Sequence, residues 1–193
     1  MSRRTFVALF VALGCTDGRS TLGTPLARLT DPVRDPGRCS GRTISNDAVG
    51  AIHLGMTVGE LGAVCNVVRD SIELRTEGYP VRVMAVLVGR DTVNALVDDS
   101  VHVTSIEVVN QGFATNDSLM VGTTLGRLLQ YRGAMVENEG GIDVARLPTM
   151  CGLGFKVGYT YVGFPAVATV DTLAPTAIPP RRPVLEIDVS HCT

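Results

Sequence analysis

Apolar positions recur at helical spacing in two places along the chain. Val58, Leu61, Cys65 and Val68 follow one another at intervals of three and four, and Leu125, Leu128 and Leu129 fall at i, i+3 and i+4. Each stretch therefore predicts a helix with one apolar face, a core face rather than a cofactor box. Thr57 and Thr124 suit the N-cap positions. Thr57-x-x-Glu60 forms a capping box, in which two side chains satisfy amides that a helix start leaves orphaned. Gly55 and Gly122 precede them as turn residues. These starts belong to a repeat: Ile52–Leu61 aligns without gaps to Leu119–Leu128, 67 residues further on, with Gly, Thr, Gly and Leu at the same places.

Downstream of each helix the period changes to two, which predicts strands. In the first half they fall at Ser71–Thr76, Val81–Val88, Thr92–Val97 and Val101–Val109. In the second half they fall at Met135–Glu137, Ile142–Leu147, Gly152–Val157 and Val184–Val189, with a further one around Tyr159–Val170. Glu77-Gly78 and Glu139-Gly140 mark loops between early strands. Val103-x-x-Ile106-x-Val108 and Val184-x-x-Ile187-x-Val189 read as equivalent closing strands. A Pro-rich insertion with Pro175, Pro179, Pro180, Pro183, Arg181 and Arg182 interrupts the second half and reads as an exposed loop. The expected fold is α+β: two tandem modules, residues 48–110 and 111–193, each a short helix packed on an antiparallel meander.

Composition adds a compartment. The chain has 193 residues, 45% hydrophobic and 19% charged, with no long block of one sign, so it is globular in character. Met1–Arg4 carries two arginines, Thr5–Gly14 is a largely apolar run, and Gly14-Cys15 closes it, in the order of an export signal covering residues 1–14. That run is too short for a bilayer, which takes about 20 residues. Removal of the leader takes Arg3 and Arg4 and no acid, leaving 15 basic against 19 acidic residues. Nothing in that balance attracts nucleic acid. Only one of the 17 basic residues is a lysine, Lys156, which reads as the mark of a G+C-rich genome. Residues 15–47, with Pro25, Pro32, Pro36, Gly37 and Gly41, read as a tether.

Four cysteines follow Cys15, at Cys39, Cys65, Cys151 and Cys192. An even count in an oxidising compartment argues for two disulfides. Three connectivities are open. Cys39 with Cys65 and Cys151 with Cys192 is favoured, because each pair lies within or flanking one half of the repeat, the second joining adjacent strands. His191 beside Cys192 tempts a metal reading, but no Cys-x-x-Cys or His-x-x-x-His spacing supports one. No cofactor is implied.

Candidate chemistry is sparse. His53, His102 and His191 sit in apolar or strand contexts. Asp188, Ser190 and His191 contain the residue types of a triad, but strand alternation puts Asp188 and Ser190 on one face and His191 on the other. Asp98-Asp99 and Glu137-x-Glu139 fall at predicted turns, where solvation explains them. Gly152-x-Gly154 and Gly140-Gly141 lack the strand-to-helix context of a phosphate loop. Asn116-Asp117-Ser118 is formally a sequon, idle behind a bacterial leader.

Gly14-Cys15 resembles the lipobox of bacterial lipoproteins, which implies lipidation of Cys15; Thr16 after it, in place of aspartate, favours the outer membrane by the same resemblance. Gly55-Met56-Thr57 with Glu60-Leu61, and Gly122-Thr123-Thr124 with Leu128, resemble the helix-plus-sheet module of small outer-membrane-assembly lipoproteins and of β-lactamase inhibitor proteins, in which the module occurs twice. That resemblance implies protein binding on a sheet face and no catalysis. The function expected is thus a non-catalytic lipoprotein of the cell envelope, anchored to the membrane by lipid, that binds an envelope or secreted protein. An inhibitor of a secreted enzyme and a hydrolytic enzyme are the alternatives. A deep cleft with convergent polar groups would favour an enzyme, and a broad apolar patch on one sheet would favour binding.

Overall fold

The computed structural model describes residues 39–75, 78–159, 167–169 and 178–192. The leader, Cys15, the tether as far as residue 38, Glu77 and Pro175 lie outside the described residues. The chain opens with three short strands, β1 (Thr43–Ile44), β2 (Ala48–Val49) and β3 (Ile52–His53), then helix α1 (Val58–Val64). Four longer strands follow: β4 (Asn66–Leu74), β5 (Pro80–Val88), β6 (Asp91–Val97) and β7 (Val103–Val108). Next come β8 (Ala114–Thr115), the one-turn helix α2 (Leu125–Leu128), β9 (Met135–Glu139), β10 (Ile142–Arg146), β11 (Leu153–Tyr159), β12 (Val167–Thr169) and β13 (Glu186–Ser190).

Nine strands make one antiparallel sheet in the order β12-β9-β10-β11-β13-β7-β6-β5-β4. The two halves meet at its middle, where β13 pairs with β7 through Ile187–Val108, Asp188–Glu107, Val189–Ile106 and Ser190–Ser105. The small sheet β3-β2-β1-β8 also joins them, with β1 parallel to β8. Alternation puts one side of the long strands inward, the edge strand β4 excepted. Met84, Val86, Ala95, Ile106, Phe155, Ile187 and Val189 on the large sheet share one apolar cluster with Leu61 of α1, Leu125 and Leu128 of α2, and Ile44, Val49 and Ile52 of the small sheet. The protein is thus α+β and dominated by antiparallel sheet, with a single core fed by both halves.

The helix starts repeat in their surroundings. Gly55 and Gly122 take φ of 81° and 94°, which a side chain would resist. Gly55 donates to the Val103 carbonyl and Val103 to that of Met56; Gly122 donates to the Val184 carbonyl and Val184 to that of Thr123. The Val58 amide goes to the Val101 carbonyl as the Leu125 amide goes to that of Arg182.

Four expectations need correction. Val68 does not belong to α1: the helix ends at Val64, and β4 begins five residues before the expected Ser71. Asn66-Val67-Val68 favours an extended backbone, and Val68 occupies a bulge between Val67 and Arg69. The tether does not extend to Asp47, because Cys39 and Ile44 are buried and Thr43–Ile44 is a strand. Glu137 and Glu139 lie on β9 rather than in a turn; only Gly140-Gly141 turns. The closing strand β13 starts at Glu186, two residues later than expected, and Val184 before it bonds the α2 start.

The disulfides are Cys39–Cys65, with Cα atoms 4.7 Å apart, and Cys151–Cys192, 5.1 Å apart. This is the favoured pairing. The second joins the chain just before β11 to the chain just after β13, neighbours in the sheet. Pro179, Pro180, Arg181 and Pro183 are exposed, whereas Ile178 and Val184 on either side are buried.

Candidate functional site

On the side of the large sheet away from the core, alternation places the polar phase of its central strands: Ser105 and Glu107 on β7, Glu186 and Asp188 on β13, and Lys156 on β11. They line a cleft of about 600 Å³ with Arg75 and Tyr79 from the turn after β4, and Val81, Leu96, Ile142 and Val144 as its apolar walls. Arg75 bonds Glu107 at 3.0 Å although β5 and β6 lie between their strands, so the end of the β4–β5 hairpin folds back over this face.

At the seam, Glu107 and Asp188 stand directly opposite each other. Like charges in that position repel. Lys156 offsets the repulsion, its Nζ lying 2.5 Å from Glu186 and 3.9 Å from Glu107, and Ser105 donates its hydroxyl proton to Asp188. Burial raises the Glu107 pKa above the ordinary carboxylate value, and Glu186 adds to it, while Arg75 and Lys156 oppose the rise only in part. Burial pulls Lys156 the other way from its partners, but the hydrogen bond and charge of Glu186, with Asp188 and Glu107 behind it, outweigh burial and raise its pKa. Lys156 is therefore a firmly charged ammonium at neutral pH. The Arg75 Nε is buried without a hydrogen-bond partner.

A second hollow, of about 460 Å³, adjoins the first and shares Glu139 with it. Met135, Glu137, Arg146, Ser190 and His191 line it, beside Cys151. Arg146 bridges the two carboxylates, 2.6 Å from Glu139 and 3.7 Å from Glu137. Along the two hollows, Glu107, Glu137, Glu139, Glu186 and Asp188 outnumber Arg75, Arg146 and Lys156. The groove they form is acidic on balance.

The residues singled out from the sequence fall in different places. Asp188 and Ser190 share the groove face, as alternation requires, and His191 borders the second hollow just past the end of β13. A different set of the same residue types does come together. In the β6–β7 turn, Ser100 Oγ lies 2.8 Å from Asp98 and 3.0 Å from His102 Nδ1, while Asp98 also accepts the His102 amide. Those bonds hold Asp98 below the usual carboxylate range, the His102 amide first and the Ser100 hydroxyl second. The serine stands between acid and imidazole, so the acid cannot orient the ring as a triad demands; the cluster closes a turn. His53 is exposed on β3. Among the described residues no group of three or more His, Cys, Asp or Glu side chains could hold a metal ion, and no helix is long and apolar enough to cross a membrane.

Sequence reasoning missed Glu107, Lys156, Glu186 and Arg75. One signal was present: each of the first three is a charge flanked on both sides by residues of an alternating strand, and Lys156 is the chain's sole lysine.

Fold and groove together define an α+β protein built around a long antiparallel sheet. No protein-family profile matches the chain, and no curated protein matches its sequence. Among solved structures it is similar to the uncharacterized protein yfeY from Escherichia coli, with a TM-score of 0.52 and 16% identity, over 77% of this chain and 99% of that one. At that identity the likeness concerns fold alone.

Proposed function

We propose that this is an exported lipoprotein of the cell envelope, anchored through Cys15 to the outer membrane, whose work is to bind another envelope or secreted protein without catalysing a reaction. The observation that carries the reading is the groove. It runs across strands of both halves and combines apolar walls with paired charges. A polypeptide supplies both the apolar contacts and the polar side chains such a surface can use. Its acidic balance favours a partner with basic side chains.

The same proposal takes the chain as two tandem helix-plus-sheet modules. Its support is the register: the bonds around Gly55, Val58 and Val103 have counterparts around Gly122, Leu125 and Val184. The seam pairs Ile106 with Val189 and Val108 with Ile187, as a twofold between equivalent closing strands requires.

One observation favours an enzyme: Glu107 is a buried carboxyl with a raised pKa in a cleft, the setting of a proton donor. Against that, its charge partners Arg75 and Lys156 are held in ion pairs, no histidine lines the cleft, and a lysine raised in pKa cannot serve as a base toward Ser105.

The test is capture of the native anchored protein from its own envelope, with mass spectrometry of co-purifying chains and of its N-terminus. A stoichiometric partner, lost with Arg75→Ala, and a diacylated Cys15 are expected. An unmodified N-terminus removes the anchor, and a partner held equally by the Arg75→Ala protein removes the groove.

A further inference from the structure

The outer edge of the large sheet is β4, nine residues long, pairing only with β5. Among the described residues seven large apolar side chains are exposed, and four of them lie on this strand and the turn after it: Val68 at 53%, Ile72 at 67%, Leu74 at 76% and Tyr79 at 67%. An edge this long, with unpaired backbone donors and acceptors and apolar side chains in water, is a template for another strand. Natural edges are blunted by charge or bulge. Here the bulge sits at one end, and the charges are of opposite sign and symmetrically placed.

That placement identifies the occupant. Counting outward from Ser71, Arg69 and Glu73 stand two residues either side, and Val68 and Leu74 stand three either side. We propose that β4 pairs antiparallel with β4 of a second copy of this chain, about a twofold axis through Ser71, so that two nine-stranded sheets become continuous.

In that register each Arg69 faces the partner's Glu73, and each Glu73 the partner's Arg69. Arg69 and Glu73 already lie 3.0 Å apart within one strand. Both project to the groove side of the sheet, because their cross-strand partners Ala85 and Val81 do. Two such pairs meeting across the axis form a square of alternating sign. On the other side, Ile72 and Leu74 lose water and Val68 meets the partner's Leu74. Asp70, which faces the partner's Ile72, is already neutralised by Arg82, with bonds of 2.9 and 2.7 Å. An interface of one strand pair is at the small end of specific contacts, so association on the order of micromolar is expected. The inference is independent of the groove: the strand pairing it forms, over residues 68–74, includes no residue of the groove lining.

The test is sedimentation equilibrium of the chain without its leader, residues 15–193 carrying Cys15→Ser, which keeps lipid and detergent out of the measured mass. The mass should rise from monomer to dimer with concentration. Glu73→Arg alone should weaken association by about tenfold or more, since two attractive cross-strand pairs become repulsive. Arg69→Glu alone should do the same, and R69E/E73R together should restore the dimer. Arg69 is exposed and Glu73 half-buried, and thermal unfolding of each variant checks that it folds. A chain that stays monomeric at the highest concentrations overturns the proposal, and then a strand from a different protein becomes the occupant to seek. A dimer indifferent to the single reversals, or not restored by the double one, overturns the register and the twofold alike.

Discussion

The two helix starts, 67 residues apart in the chain, cap their orphaned amides by partly different means. At α1 the means are local: Glu60 donates its amide to Thr57 Oγ1 at 3.2 Å, and the Glu60 carboxylate accepts the Thr57 amide at 2.8 Å. At α2 the third helical residue is Arg127 in place of a glutamate, and Thr124 makes no side-chain cap. The Gly126 amide goes instead to the Pro180 carbonyl at 2.7 Å, while Leu125 repeats with Arg182 the bond that Val58 makes with Val101. A helix of one turn cannot carry its own nucleation cost, so α2 depends on the Pro-rich segment holding its carbonyls in place. The same motif in sequence thus has one copy capped by its own side chains and one that leans further on distant residues.

The largest effects should come from the disulfides that staple each half. Replacing Cys39 and Cys65 together by alanine, closing partners 26 residues apart, should cost about 3.5 kcal/mol in the chain-entropy picture. Replacing Cys151 and Cys192, 41 apart, should cost about 4 kcal/mol on the same basis. Urea unfolding measures both, and hydrogen exchange on the second variant decides how separable the halves are: protection lost across β4–β7 as well would mean one cooperative unit.

The caps come next. Thr57→Ala should cost about 1 kcal/mol, and Thr124→Ala only a few tenths; equal losses would erase the contrast between the two starts. Glycines inside the helices should differ in sign. A Cβ at Gly59 would meet only Thr57 Oγ1 at 3.9 Å, so Gly59→Ala should gain about 0.5–1 kcal/mol in helix propensity. A Cβ at Gly126 would press on the Pro180 carbonyl oxygen at 3.1 Å, so Gly126→Ala should lose stability.

The last prediction is one of slope, at the seam. With its pKa raised in the folded state, Glu107 adds stability below the unfolded carboxyl value of 4.5 and loses it as pH climbs through the folded one. The melting temperature of Glu107→Gln relative to the parent should therefore move upward as pH rises from about 4 toward neutrality. A difference that is flat or falls with pH would mean that Arg75 and Lys156 govern this carboxyl more than burial does.

What was legible in the sequence was local. The capping box at Thr57, the alternation of β5, β6 and β10, and the cysteine pairs read correctly because neighbours within a few residues, or the repeat itself, specify them. The small sheet was not legible: Thr43–Ile44, Ala48–Val49 and Ile52–His53 are too short to show alternation, and they hold because Cys39–Cys65 and a parallel pairing with β8 pin them. The end of α1 was misread because Cys65 and Val68 continue its spacing by accident of a bulge. The groove was half legible. Alternation placed Asp188 and Ser190 on one face, and applied to β7 and β11 it would have done so for Glu107 and Lys156. That these side chains meet follows from the order β7-β13-β11, which no local pattern encodes.

The central seam also sets an order of events in time. Strands β4 to β7 are consecutive hairpins, each closing a short loop, and can form as soon as they are made. The neighbour that β7 needs, β13, lies some 80 residues downstream. Until it arrives, β7 is a bare edge with Ile106 and Val108 lacking their final cover, the kind of surface on which nascent chains associate wrongly. A chain stopped short of Glu186 would keep its middle strand open permanently.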